Sequence, residues 1–369
     1  MSEKAIRGEI PPVDLASPRD GGSPSGDPRP RHLTVRRGGV SLRLSPRVAV
    51  LSLVVAAGIF LLAVWALTLG SYAMSWGDAF AAARGTGDAK QVFVVQSLRL
   101  PRIIAAVLAG AALAVSGAIF QGVVRNPLVS PDIIGIDSGA SLAAVFWIVT
   151  GKQNALLPVA AFVGAVATAA AIYLLAWQRG VDTDRLILVG IGVGAALAAG
   201  ITYLTVRYPY EIVRPAEFWM MGSLSGSSWR DAATLLVAAA VLVPAALLLA
   251  PSLRTLQLGD DISRGLGVPL ERLRFGLIIV GCGLAAASVA IAGPIGFVAL
   301  MVPHVARMLA GPISGGVILF TAVLGAFFLL ATDIFAQHGL PIALPVGAIT
   351  AAVGAPYFLF LLYRSHAAH

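Results

Sequence analysis

The sequence predicts an all-α polytopic membrane protein of about ten transmembrane helices. Only 12% of its 369 residues are charged and 58% are hydrophobic. A soluble domain carries about twice that share of charge, because its surface must face water. From residue 47 onward the chain is also a succession of apolar segments close to the roughly 20 residues that cross a bilayer. The 40 glycines agree with this, since small residues let helices approach closely in lipid.

The elements follow in order. Residues 1–46 are rich in Pro, Gly, Ser and Arg, with Pro11, Pro12, Pro18, Pro24, Pro28 and Pro30 among them. They have no apolar period and nothing with which to build a core, so they are expected to be a disordered cytoplasmic tail. The apolar run after them is too long for a secretory signal and no small-residue cleavage site follows it. It reads as a first span that doubles as an uncleaved anchor. Residues 47–364 then form one transmembrane domain, with spans near 47–70, 101–124, 134–150, 155–177, 186–206, 231–251, 272–292, 296–310, 315–335 and 344–363. Gly and Pro interrupt this series at Pro127, Pro131, Gly293, Pro294, Gly311 and Pro312. Broken helices at membrane depth survive only where protein buries them or a wet cavity lies alongside.

Ten spans put both chain ends on one side. Nine Lys and Arg lie in the tail and at its edge, up to Arg47, which sets both termini inside by the positive-inside rule. On that topology Arg84, Lys90, Arg99, Arg102, Lys152, Arg207, Arg214 and Arg230 are external. The loops beyond the tail are almost evenly split between the two sides, so the external arginines need a role of their own. The net charge of +8 is spread over tail and loops. No single basic face offers itself to nucleic acid.

Several chemistries are excluded. The three lysines, Lys4, Lys90 and Lys152, are not followed by Ser or Thr in a Gly-rich loop. There is therefore no P-loop, and ATP hydrolysis must belong to another chain. The run Gly222–Gly226 misses the G-x-S-x-G nucleophile motif because its central residue is Leu224; its small residues suit a turn or a close helix contact. His304 lies inside a span without a second His or carboxylate at helical spacing, which speaks for packing or hydrogen bonding rather than a metal. Cys282, the single cysteine, rules out an internal disulfide and reads as a buried, reduced thiol. No catalytic residue, metal ligand or cofactor is expected.

Three blocks carry information. In the first, Arg99 and Arg102 flank Pro101, a residue suited to the first turn of a helix. Cations at a helix start oppose its dipole, so the pair is read as kept for a docking partner. A small-residue helix and Asn126-Pro127-Leu128-Val129-Ser130-Pro131-Asp132 follow. The second block, Gly259-Asp260-Asp261-Ile262-Ser263-Arg264-Gly265-Leu266-Gly267-Val268, reads as a small helix outside the bilayer. The third joins Gly293-Pro294-Ile295-Gly296-Phe297, Pro303-His304-Val305-Ala306-Arg307 and Leu344-Pro345-Val346-Gly347.

In that order the motifs resemble the FecCD family of ABC-importer permeases, which take up iron–siderophore complexes, haem and vitamin B12. The match covers about residues 50–364. Arg185-Leu186-Ile187, Gly190-Ile191-Gly192-Val193 and Met221–Gly226 before Trp229 are most similar to the second permease subunit of ferric-enterobactin importers. The resemblance implies a vitamin-B12-importer-like (type II) permease fold in the cytoplasmic membrane. Its partners would be cytoplasmic ATPase subunits, a second permease subunit (identical or not), an extracytoplasmic binding protein and the surrounding lipid. The cargo would be a ferric siderophore of catecholate type, with vitamin B12 or haem as the alternative. By the same resemblance Arg99 and Arg102 would salt-bridge to the binding protein, and Asn126 and Leu128 would form the inner gate. Asp260, Asp261, Arg264, Gly265, Leu266 and Gly267 would couple to the ATPase. Similar permeases often carry a third arginine after Asp333, where this chain reads Phe335-Ala336-Gln337; that departure suits a heterodimer. An ion-coupled secondary transporter would instead need intramembrane carboxylates, and only Asp333 comes near.

Overall fold

Serine caps and proline starts set the helix beginnings. In the computed structural model Ser45 accepts from the Val48 amide ahead of α1 (Pro46–Thr68), with Pro46 in the first turn where its missing N–H costs nothing. Ser75 caps α2 (Trp76–Ala83), and Ser314 caps α13 (Gly315–His338). Ser228 and Asp231 close a capping box on α9 (Trp229–Leu256). The structure describes residues 33–37, 40–70, 72, 74–152, 154–178, 183–265 and 267–366, all within the unit His32–His369.

The remaining helices are α3 (Ala89–Phe93), α4 (Leu100–Val124), α5 (Ile136–Val149), α6 (Leu157–Ala176), α7 (Thr183–Arg207), α8 (Tyr210–Met220), α10 (Asp260–Gly265), α11 (Leu270–Ala292), α12 (Val298–Ala310) and α14 (Val346–His366). Among the described residues seven helices are long and apolar enough to cross a membrane, and α5, α12 and α14 add three shorter apolar ones. Those ten fall on the ten expected segments. Before them, Leu33–Arg37 (β1) and Val40–Leu44 (β2) pair as an antiparallel hairpin, Leu33 opposite Leu44. That hairpin lies in the stretch expected to be disordered; residues 1–32 lie outside the described residues.

Helix α4 is the axis. It is buried almost all round, against α9, α11, α12 and α13. Its glycines explain the closeness. A Cβ on Gly110 would stand 2.3 Å from the Gly325 carbonyl oxygen of α13, and one on Gly117 would stand 1.8 Å from that of Ala299 in α12. By contrast α1, α7 and α9 leave broad apolar faces open, with Leu53 at 72% and Leu188 at 69% exposure. Apolar surface on that scale belongs against lipid.

Two expectations need correction. The second span was placed to begin at Pro101, whereas the helix is continuous from Ala89 through Val124. A π-helical turn, Val94–Arg99, precedes α4. Proline has no N–H to return to the preceding turn and its ring crowds that carbonyl; the wider turn takes up the misfit. Arg99 and Arg102 thus lie within a helix rather than on its positive tip. The segments 207–230 and 70–100 also hold α8, α2 and α3, short helices absent from the reading of spans.

The break at Gly293-Pro294 is real. Helix α11 ends at Gly293, which takes φ 69°, a backbone that favours glycine. The chain then runs back into the body before α12 starts at Phe297–Val298. Its neighbourhood satisfies the freed backbone groups: the Ser223 amide donates to the Ala292 carbonyl at 2.7 Å, and the Gly347 amide to that of Gly222 at 3.1 Å. The Gly222–Gly226 run is accordingly a packed turn, with Leu224 wholly buried.

Candidate functional site

The candidate residues sort to opposite ends of α4. At the first end the Arg102 guanidinium grips Asp333 of α13 with both prongs, Nε to Oδ2 at 2.9 Å and Nη2 to Oδ1 at 2.8 Å, while Nη1 donates to Ser225 Oγ at 3.2 Å. Gln337 adds a bond from Nε2 to Asp333 Oδ2 at 2.7 Å. Side-chain exposure is 18% for Arg102 and 3% for Asp333, so this is a largely buried pair. Arg99 donates to the Leu67 carbonyl and, at 2.8 Å, to that of Tyr72. A cavity of about 280 Å³ opens between α1, α4 and α13, with Arg99, Arg102, Asp333 and Gln337 in its walls. Both arginines therefore line a recess and have internal partners.

At the opposite end, Arg125 takes the left-handed conformation (φ 58°) and stops α4. The Asn126 side chain turns back to accept the Leu128 amide at 2.9 Å, an Asx turn of the kind Asn favours. Asn126 and Leu128 are both half-buried. Beyond them Ser130 Oγ, Asp132 Oδ1 and Asp137 Oδ1 are buried without a hydrogen-bond partner, and burial pushes the Asp132 carboxyl up. The loop then crosses α7 where Gly190 has no side chain; a Cβ there would meet the Ile134 carbonyl at 2.6 Å.

Helix α10 sits at this same end. Asp260, its first residue, accepts from Arg274 Nη2 at 2.8 Å on both oxygens and lies 3.4 Å from Arg125 Nη2. One carboxylate thus joins α10 to the start of α11 and to the residue just before Asn126. Ser263 is wholly buried and donates to the Thr255 and Gly259 carbonyls at 2.9 and 2.7 Å. Ile262, Arg264, Gly265 and Gly267 face outward. Leu266 lies outside the described residues. The structure thus brings the gate and coupling candidates together, and keeps both apart from Arg99 and Arg102.

Sequence reasoning missed Asp333, Ser225, Arg125 and Arg274 as partners. The only local signal was that Arg125 immediately precedes Asn126; the rest are pairings across the fold, which no spacing announces. His304 packs its ring edge-on to Tyr357, centroids 6.3 Å apart, in keeping with a packing role. Cys282 is free and buried.

The model of the FecCD transport family matches residues 58–364. The ferric enterobactin transport system permease protein FepG of Escherichia coli K12 is 39% identical over 323 residues, 87% of this chain and 98% of that protein. The Fe(3+)-citrate import system permease protein YfmE of Bacillus subtilis 168 is 42% identical over 273 residues, 73% of this chain and 82% of that protein. Among solved structures, a metal-chelate type ABC transporter in an inward-facing conformation superposes with a TM-score of 0.78 at 30% identity, covering 86% of this chain and 99% of that one.

Proposed function

This chain belongs to the FecCD transport family, and from that premise we propose that it is the permease subunit through which a ferric siderophore of catecholate type crosses the cytoplasmic membrane. It is a transport subunit rather than an enzyme; a separate ATPase supplies the energy. The observation that carries the mechanism is the Asp260 carboxylate held by both Arg125 and Arg274. On this reading the outward face of α10 takes the push of the ATPase. Asp260 passes it to Arg125, and so to the Asn126–Leu128 turn that closes the pathway. The basic tail and the α10 end then face the cytoplasm, and the Arg99 and Arg102 end faces outward.

The choice of cargo rests on the 39% identity to FepG along 98% of its length. Iron stays within its chelate, so the pathway needs width and weak contacts rather than metal ligands. Arg99 and Arg102 guide the binding protein, giving orientation and encounter rate more than affinity. Arg102 is already neutralised by Asp333, whereas among the described residues Arg99 is held only by neutral carbonyls, so Arg99 takes the larger share of that work. The second permease subunit supplies the other half of the pathway.

Uptake of labelled chelates in a deletion strain tests the reading. Ferric catecholate uptake is expected to vanish on deletion and return with the gene, while ferric hydroxamate, cobalamin and haemin uptake persist. Loss of cobalamin or haemin uptake with catecholate uptake intact would overturn the substrate.

A further inference from the structure

A second cavity, about 530 Å³, opens at the Asp260 end between α4, α12 and the end of α9. Its walls carry Arg125, Arg307, His304, Gln121 and Gln257, and no Asp or Glu among the residues that line it. The amide of Gln121 is fixed, because its Nε2 donates to the Leu300 carbonyl at 2.9 Å. That leaves Oε1 to accept from Arg307 Nη2 at 2.6 Å. A neutral oxygen aims the guanidinium without neutralising it. Among the described residues Arg307 has no acidic partner. His304 Nδ1 is likewise buried without a hydrogen-bond partner. Arg125 has only a share of Asp260, which sits closer to Arg274 at 2.8 Å than to Arg125 at 3.4 Å.

Arg307, partly buried, wants a counter-charge, because desolvation makes an unmatched cation costly. The guanidinium fork matches the oxygens of a phosphate. At the mouth Met308 is 59% exposed, and Leu309 beside it 40%, so the anion would meet apolar surface where an acyl chain can lie. Basic recesses between membrane helices take anionic headgroups for these reasons. We propose that this cavity holds the phosphate of an anionic phospholipid, gripped by Arg307 with His304 and Arg125 beside it. A bound headgroup there touches the same Arg125 that joins α10 to the Asn126 turn.

The test uses the full chain in vesicles of equal phosphatidylglycerol and phosphatidylcholine, with retained lipid read by native mass spectrometry. The chain is expected to keep phosphatidylglycerol in preference, and Arg307→Gln to cut that preference about fivefold, the worth of one basic side chain at an anionic surface. Equal retention of the two lipids by the unmodified chain would overturn the proposal, as would a preference that survives Arg307→Gln. A second arm places the chain in phosphatidylcholine alone and adds inorganic phosphate. A raised unfolding temperature there, with no lipid preference, would reassign the cavity to free phosphate and reject the lipid. The unmodified chain is read first, so a variant that fails to fold leaves the proposal refutable.

Discussion

At the scale of single residues, the Arg102–Asp333 pair decides what the first end can do. A largely buried ion pair adds little stability over a well-packed apolar pair, yet removing one partner strands the other charge. Asp333→Ala is therefore expected to cost about 3 kcal/mol, read as a lowered unfolding midpoint in detergent. Arg102→Leu with Asp333→Leu should lose less than the sum of the singles; additive losses would mean that the two groups act independently. The sequence displayed both residues without their pairing. Arg102 and Asp333 are 231 positions apart, and nothing local to either says which charge at that end of the helices will meet it. Arg99 and Arg102 as a basic pair were legible, because arginine beside an apolar run is rare enough to stand out.

Among the elements, spans were legible and their joints were not. Hydropathy over twenty residues is a strong, repeated signal, which is why even α5 and α12, at 14 and 13 residues, were found. Helix α8 carries Glu211, Arg214, Pro215 and Glu217, and so offers neither span length nor apolar character to a sequence reading. The glycines make sharper forecasts. Gly110→Leu should abolish folded yield, since even a Cβ lands 2.3 Å from backbone and overpacking of a tight seam is destabilising. Gly192→Ala, with nothing within 4 Å, should be neutral or gain up to about 1 kcal/mol from helix propensity. Similar yields for both variants would dissolve the close-packing account of α4. For α10, Asp260→Asn weakens its hold on Arg125 and Arg274 while leaving the outward face untouched. Reconstituted with its ATPase, that variant should insert normally but lose stimulated hydrolysis and uptake together. Retention of both would cut Asp260 out of the coupling path.

For the molecule as a whole, the forecast concerns energy. Its body carries no nucleotide loop. Of its buried carboxylates, Asp333 is matched to Arg102 rather than left to carry protons or sodium, while among the described residues Asp132 and Asp137 lie unmatched around the start of α5, so an ion gradient is the decisive test. Purified and sealed into vesicles without its ATPase, the chain should accumulate no chelate under a sodium or proton gradient; uphill uptake there would place the motor inside this polypeptide. The meshing of α4 with α13 also bears on how such a motor's stroke could be used. Gly110 and Gly325 put main chain against main chain, with the Cβ atoms of Ala114 and Leu329 wedged beside them. A seam so tightly interlocked resists shear, so α4 and α13 are expected to travel as one mast, and a swing between outward and inward access to fall to the panels hung around it.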